Sequence, residues 1–525
     1  MAEATPILRD TLLAALRTLP GTRKFHIHVL QSSPRRNTSL FQFAKPRPRT
    51  YVQDVLVLLS EQLGQDAPRV LVTAIEGNLY HVPSTSSAIL YVCKVDSTGQ
   101  TNGTSPTRAL VRAFLNYYAN PATRPVDARN LWIQLFARAQ GQYLFPNSAQ
   151  FEGKRPLSDV KLCAWWKRVL SQAALDVVDA ISLNTPNSPV SSSSTAVQAY
   201  YILPGYGQLE AEYSLKVVSP DVTWEYGHPY TMQQSLPCAL DTQFRNLGHY
   251  IPYFDDDPKS RFLDEIAYTT GGEVKSPVRK RARTATSVED ARQRDNVDDK
   301  DSGKEKDDRP LGELGKVTPD EFWERMSFRQ ECVAGAVTGF FTLDIEGEGQ
   351  SKPQPQHVAP SPLEPQPGQV SSQINKRVLT ALTTGVEFST AERAIKATET
   401  LESTIKRLCE GISTIPNTSR SHSSGRSSTP EPRERSNLTL LVPPSTPPRN
   451  IKRAALPDVT PNPFPEPVAS LETYQSHIYG SVCVSNPIPE ATPQGGGKGD
   501  DKESSEVVAP VVTVLTARKK KKRAE

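Results

Sequence analysis

The sequence is short of several things, and each shortage excludes a class. It has only six cysteines in 525 residues, at positions 93, 163, 238, 332, 409 and 483, and none is closer than 70 residues to the next. That spacing leaves no CxxC pair, disulfide framework or structural zinc site, and it points to a reduced, intracellular protein. No apolar run approaches the roughly 18 residues needed to cross a bilayer. The opening stretch, MAEATPILRDTLLAALRTLP, is amphipathic and lacks the apolar centre of a secretory signal. Neither sign of charge dominates: 61 Lys and Arg stand against 57 Asp and Glu, a net of +4. A uniformly basic nucleic-acid coat is therefore excluded, although local patches are not. Hydrophobic residues make up 37 % and aromatics 7 %, which is thin for a chain packed from end to end.

Proline is abundant. The 45 Pro and 29 Gly together fill about 14 % of the chain, and they are concentrated in a few segments. Residues 271–315 form an insert with a basic cluster, Lys275–Arg283, and a mixed-charge stretch; 350–373 is a Pro/Gln linker; 414–505 is rich in Ser, Thr and Pro. These segments cannot bury enough apolar surface to fold alone and read as disordered. A β-prone run and a lysine-rich tail, Arg518–Arg523, occupy 506–525. What remains within 1–413 reads as one discontinuous domain.

Inside it, strand-like and helical runs alternate, giving a mixed α/β class. Strands are expected at Phe25–Leu30, Val52–Leu59, Arg69–Ile75, Ala88–Asp96 and Leu131–Ala137, with a hairpin turn at Glu76-Gly77-Asn78. Helices are expected over Thr107–Tyr118 and Ser158–Ile181, after Thr318-Pro319, and from a capping box at Ser389 to Glu392 through Leu408. The helix after Thr318 should carry Phe322, Met326 and Val333 on one face.

Three constellations could carry chemistry. A small-residue loop, Asp96-Ser97-Thr98-Gly99 with Asn102-Gly103, runs into a helix bearing Arg108 and Arg112 one turn apart. Helix-terminal N–H groups and guanidinium forks suit a phosphate or pyrophosphate, while an ordinary loop before a solvated helix face fits the same residues. In Trp165-Trp166, Trp166 falls on the apolar stripe with Leu162 and Val169 and reads as core. Trp165 points about 100° away, toward packing against a loop or toward a ligand. Asp255-Asp256-Asp257-Pro258-Lys259 contains an N-cap followed by a proline at the first helical position. Its three acids could also attract a lysine ammonium, act as a general base or hold Mg²⁺.

Together with Lys94-Val95-Asp96, Gln142-Tyr143-Leu144-Phe145-Pro146 and Phe322-Trp323, the string Asp256-Asp257-Pro258-Lys259-Ser260-Arg261-Phe262 resembles one family. It is that of the fungal histone H3 lysine acetyltransferases first named as regulators of Ty transposition, structural relatives of the CREB-binding-protein type. The resemblance implies a central mixed β-sheet surrounded by helices, acetyl-CoA as donor, a lysine of H3 as acceptor and no metal. By the same resemblance Val95, Asp96 and Ser97 contact the cofactor, and Arg108, Ala109, Leu110, Val111 and Arg112 hold its pyrophosphate. Phe136 lies beside it, as does Gln140, where the family has a small residue; Arg155, Pro156 and Leu157 lie over it, and Trp165 touches it. Tyr143, Trp166, Asp256 and Asp257 surround the acceptor lysine, with Asp257 as the acid/base and Lys259 as a self-acetylated lysine.

The implied partners are H3–H4 and histone chaperones of the nucleosome-assembly-protein and anti-silencing-factor kinds. Neither a membrane nor sequence-specific nucleic acid is expected. A nuclear location follows, with Lys275–Arg283 as the import candidate and Arg518–Arg523 as a dock for an acidic chaperone. A non-catalytic chaperone adaptor that keeps the fold, and a metal-dependent phosphotransferase built on the acids, are the competing readings.

Overall fold

The computed structural model describes residues 6–184, 197–217, 221–231, 236–239, 245–270, 273–274, 311–329, 336–346, 368–410 and 471–487. Helix α1 (Leu8–Leu16) leads into strands β1 (Gly21–Gln31), β2 (Arg35–Asn37), β3 (Thr50–Gln62), β4 (Val70–Val82) and β5 (Ser87–Ser97). Then come α2 (Thr107–Ala119), β6 (Asn130–Arg138), α3 (Asp159–Asn184), β7 (Val197–Ile202), α4 (Gln208–Leu215) and β8 (Trp224–Tyr226). Two short helices, α5 (Leu247–Tyr250) and α6 (Pro258–Tyr268), precede the small pair β9 (Thr269–Thr270) and β10 (Glu273–Val274). Helix α7 (Pro319–Met326), β11 (Thr338–Glu346), α8 (Ser372–Thr384), α9 (Ala391–Glu410), helical turns at Leu471–Thr473 and Tyr474–Ile478, and β12 (Tyr479–Asn486) complete the order.

Ten strands form one mixed sheet in the order β12-β1-β3-β4-β5-β6-β11-β7-β8, with β2 beside β3. The pairs β5/β6 and β7/β8 are parallel and the others antiparallel. The expected central mixed sheet between helices is therefore present. One face carries α1, α2, α3 and α4 over a core that includes Phe25, Val57, Phe114, Trp166 and Phe341. The other face is divided. Helices α6 and α7 cover Trp132, Tyr91 and Phe340, while α8 and α9 cover Leu56, Leu58 and Leu71. Because both faces are covered, β3 is buried nearly throughout and carries the unbroken apolar run Val55–Leu59 instead of alternating.

Several sequence expectations change. Glu76-Gly77-Asn78 is not a turn: it lies inside β4, where the register against β5 shifts between Glu76 and Gly77. A β-carbon on Gly77 would sit 3.3 Å from the Tyr91 carbonyl and 3.4 Å from the Phe114 ring, so the glycine permits close packing at a bulge. The helix after Thr318 stops at Met326, and Val333 lies outside the described residues. The last helix is capped one residue later than expected, by the Thr390 hydroxyl, which accepts from the Arg393 amide.

The largest difference is at 471–487. This segment falls within the stretch expected to be disordered, yet β12 pairs with β1 over Gly21–His28. Tyr474 and Ile478 are buried against α9, and Val482 and Val484 against α1. The short local pattern is too weak to announce a strand. The open edge of β1 supplies the missing partner. Likewise the linker ends before 373: Val370 is buried and bridges Ser32, and the helix starts at Ser372. Of the expected insert 271–315, residues 275–310 with the basic cluster Lys275–Arg283 lie outside the described residues, as does the tail 488–525, whereas Leu314 is fully buried in the core under α6.

Candidate active site

Parallel strands place their carboxyl ends together, and helix α2 connects β5 to β6. Crevices at such strand ends are natural ligand sites. Here the end of β5 carries Val95, Asp96 and Ser97, and that of β6 carries Phe136 and Arg138.

Asp96 organises this end. It is almost fully buried, and its Oδ2 accepts the backbone N–H groups of Tyr143 (2.7 Å), Leu144 (2.9 Å) and Phe145 (3.2 Å). Oδ1 accepts the Ser97 N–H at 2.8 Å and the Lys154 ammonium at 2.9 Å. Lys154 also donates to Ser148 Oγ at 2.7 Å. One carboxylate thus ties three loops together. The Asp96 side chain is consumed in doing so, whereas Val95 and Ser97 on either side of it are half-buried.

Gly99 makes the same junction possible. At φ +78° its β-carbon would lie 2.5 Å from the Lys154 Cα, so only glycine lets the 97–103 loop meet the 151–157 loop. Arg155, Pro156 and Leu157, just beyond Lys154, are exposed at that junction.

Helix α2 starts behind this loop. Arg108 is exposed on its first turn, where helix-end N–H groups lack partners within the helix. Leu110 and Val111, by contrast, are fully buried in the core, so their side chains make no cofactor contact. Arg112 is also committed elsewhere. Its Nε and Nη2 each donate to Asp176 of α3 at 2.5 Å, and Asn116 joins the same carboxylate. Of the expected pyrophosphate set, Arg108 is left as the outward guanidinium, with Ala109 half-buried beside it.

Helix α3 begins where Asp159 accepts the Ala139 N–H at 2.9 Å. Phe136 is half-buried and Gln140 exposed at the end of β6. Tyr143 is half-buried, donates its hydroxyl to the Arg138 carbonyl, and lies near Asp159 and Cys163. Burial pushes its phenol up to about 12, so it remains a hydrogen-bond donor at neutral pH. One turn beyond Cys163, Trp166 packs in the core while Trp165 is half-buried, the two rings meeting edge to face at 4.8 Å. The division read from the helical stripe holds: Trp166 supports, and Trp165 is the more accessible ring.

The acidic string divides in an unexpected way. Asp257 has no exposed surface. It caps α6 by accepting the Lys259 N–H at 2.8 Å, and its Oδ2 lies 3.2 Å from the Lys259 ammonium. Burial lifts the Asp257 carboxyl above its ordinary value, against the pull of Lys259. For Lys259, burial acts downward but is outweighed by Asp257 and Tyr230, so the ammonium persists. Lys259 is itself buried, over the rings of Phe340 (5.4 Å) and Phe254 (5.7 Å). Asp256 is the opposite case: its side chain is 76 % exposed and lies 3.2 Å from Lys94 Nζ. Lys94 also meets Glu76, its partner across the β4/β5 ladder, at 3.0 Å. An acid/base role for Asp257 by direct contact does not fit this burial; Asp256 is the solvent-exposed carboxylate of the string.

Sequence reading missed Lys154, Lys94 and Glu76. Glu76 and Lys94 could have been found as a cross-strand pair once β4 was seen as one strand. Nothing local marks Lys154. Among the described residues, no cluster of His, Cys, Asp and Glu is placed to hold a metal ion.

With this geometry in view, comparison with known proteins is informative. Residues 121–404 match the histone acetyltransferase KAT11-type domain, more than half of the chain. The chain belongs to the KAT11-type histone acetyltransferase family. The matched span runs from just before β6 into α9 and includes Tyr143, the Trp pair, Asp256 and Asp257; the β5 end and α2 precede it. Histone acetyltransferase rtt109 of Aspergillus flavus is 28 % identical over 351 residues, 63 % of this chain and 56 % of that protein. The Schizosaccharomyces pombe protein of the same name is 26 % identical over 325 residues, 62 % of this chain and 68 % of its own length. The crystal structure of Rtt109 from Aspergillus fumigatus superposes with a TM-score of 0.55 at 24 % identity, over 76 % of this chain and 96 % of that one, which shows a shared fold. The aligned part thus spans little more than half of the A. flavus relative.

Proposed function

We propose that this KAT11-type protein transfers the acetyl group of acetyl-CoA to a lysine of histone H3. The observation that carries the reading is the gathering, at the ends of β5 and β6, of an N–H-rich helix start and a locked loop system, with the exposed Asp256 carboxylate held against Lys94 of β5. These residues fit the donor. The α2 start with Arg108 suits a diphosphate, and the exposed Arg155, Pro156 and Leu157 with Trp165 offer an amphipathic wall for the rest. Acetyl-CoA supplies an activated thioester.

The acceptor lysine arrives protonated, since with a pKa near 10.4 fewer than about 0.1 % of free side chains are neutral at pH 7. Asp256 attracts the ammonium, and its proton passes to water or to that carboxylate. The amine then attacks the thioester carbon; a C–N bond forms, the C–S bond breaks, and the thiolate leaves and is protonated. Asp257 acts through structure: it fixes α6 and neutralises Lys259, and so sets the position of Asp256. Lys259 is a candidate for self-acetylation only through opening of α6, because its ammonium is enclosed.

The finer assignments belong to the same proposal. They are preference for lysine fifty-six of H3 with tail lysines as secondary acceptors, presentation of H3–H4 by acidic histone chaperones, and action in the nucleus during chromatin assembly linked to DNA replication and repair. The full catalytic domain would be discontinuous, with the segments outside the described residues serving as import and docking elements.

The test is incubation of the full chain with labelled acetyl-CoA, H3–H4 and a chaperone. Label should reach H3. Asp256→Asn should lower transfer tenfold or more while leaving thermal stability unchanged, and Asp257→Asn should lower both. Transfer that persists in Asp256→Asn would remove its role. No transfer by the wild type, with normal chaperone binding, would favour the adaptor reading instead.

A further inference from the structure

The loop that leads into α2 is held by a buried ion pair from β1 and β3. Arg23 of β1 and Glu61 of β3 have side chains only 3 % and 4 % exposed and approach to 3.4 Å. Each reaches onward into the loop. Arg23 Nη1 donates to the Asn102 carbonyl at 2.6 Å, and Nη2 to the Thr104 carbonyl at 2.7 Å. Glu61 accepts the Thr101 hydroxyl at 2.6 Å and the Asn102 N–H at 3.2 Å. The same loop is pinned at its start, where Thr98 donates its hydroxyl to the Leu71 carbonyl at 2.8 Å, and at its end, where Thr107 meets Thr73 at 2.9 Å.

This is more than loop closure requires. Residues 101–104 contain no apolar side chain, and a solvated connection would satisfy its own backbone with water. Burying two opposite charges is costly unless the remaining hydrogen-bonding positions are filled, and here the loop's own carbonyls, amide and hydroxyl fill all but Arg23 Nε. The position of the α2 start is therefore fixed in the absence of ligand. Arg23 stands opposite Val484 of β12 in the ladder, so the docked 479–486 strand flanks the pair at the sheet edge.

We infer that Arg23 and Glu61 are positioning residues for the donor's diphosphate: they hold the 101–104 loop so that the amides of the α2 start and Arg108 are preset to receive it. The inference rests on the acetyltransferase reading and adds to it which residues set donor affinity. A preset anion site binds without a further ordering cost, so loosening it should weaken binding of the phosphate-bearing donor and leave the acyl-transfer step alone.

The experiment compares two donors in the full chain, acetyl-CoA and acetyl-pantetheine, which has the thioester but no diphosphate. The variants are Thr101→Val, which removes one loop contact without stranding a buried charge, and Glu61→Gln, with folding checked by thermal melting. For both, the KM for acetyl-CoA should rise fivefold or more, with kcat within twofold of the wild type. Their rates with acetyl-pantetheine should equal the wild-type rate. An unchanged KM for acetyl-CoA in folded Thr101→Val would overturn the inference, and so would equal losses with both donors, which mark a merely structural role. A wild type inert with both donors would instead refute the acetyltransferase reading and the inference with it.

Discussion

The Asp96–Lys154 junction makes a quantitative prediction. In Asp96→Asn the amide oxygen can take the Oδ2 position and keep the N–H groups of Tyr143, Leu144 and Phe145, now with a neutral acceptor. The amide NH₂ then occupies the Oδ1 position, facing the Ser97 N–H and the Lys154 ammonium, both of which are donors. Lys154, with its side chain 6 % exposed, is left as a buried charge without its counterion. Removing one partner of a buried pair typically costs about 3–5 kcal/mol, and weakening three bonds to a charged acceptor pushes toward the upper part of that range. Lys154→Met should cost less, about 2–3 kcal/mol, because Asp96 keeps four amide donors. The double variant should be hardly worse than Asp96→Asn alone, since the stranded ammonium is gone. Urea unfolding of the four proteins at pH 7 measures the cycle. Additive single-variant costs, or a Lys154→Met cost above that of Asp96→Asn, would refute the view that one carboxylate ties the three loops.

Two further outcomes follow. Gly99→Ala should incur about 1–2 kcal/mol from its left-handed backbone alone, and its β-carbon would also strike the Lys154 backbone; Gly103→Ala, at φ +79° with nothing within 4 Å, should show only the first effect. A KM for acetyl-CoA that rises for Gly99→Ala and stays level for Gly103→Ala supports the loop contact, and equal behaviour of the two removes it. At the other sheet edge, burial holds His26 down to about 4 and His28 to about 3, with His26 bonded to the Tyr479 hydroxyl at 2.8 Å and His28 to that of Tyr474 at 2.9 Å. Their folded-state values lie below the unfolded value near 6.5, so the unfolded chain takes up protons first as pH falls. Stability is full above about pH 6.5 and falls by up to about 2 kcal/mol per histidine by pH 5, the loss continuing toward pH 4. Melting curves at pH 7 and pH 5 check this, and His28→Gln should flatten the difference; a wild-type melting temperature that does not move between them would contradict it.

The most legible parts of the sequence were those whose signal is local. The Asp257-Pro258 cap, the amphipathic stripes of α2 and α3, and the apolar runs of β1, β3, β5 and β6 each follow from a repeat or a stop signal within a dozen residues. The stripe also placed Trp166 inward and Trp165 off the core without help from any relative. The grouping of Asp96, Tyr143, the Trp pair and Asp256 came from likeness to a family, because no local rule links residues so far apart in sequence.

Tertiary structure decided the rest. Residue type says that Asp256 and Asp257 are both carboxylates; packing against Lys259 makes one a buried cap, and the turn before α6 leaves the other in solvent. Arg112 looked like a phosphate ligand until α3 brought Asp176 against it. The strand at 479–486 exists because β1 offers an open edge, and Gly77 breaks nothing because β5 and Phe114 hold β4 on either side of it. Sequence alone determined which segments can form helices and strands and which residues carry charge. Which of those charges meet each other and which meet a ligand was decided by contacts between distant segments, since burial and pairing are properties of the fold and not of any stretch of chain.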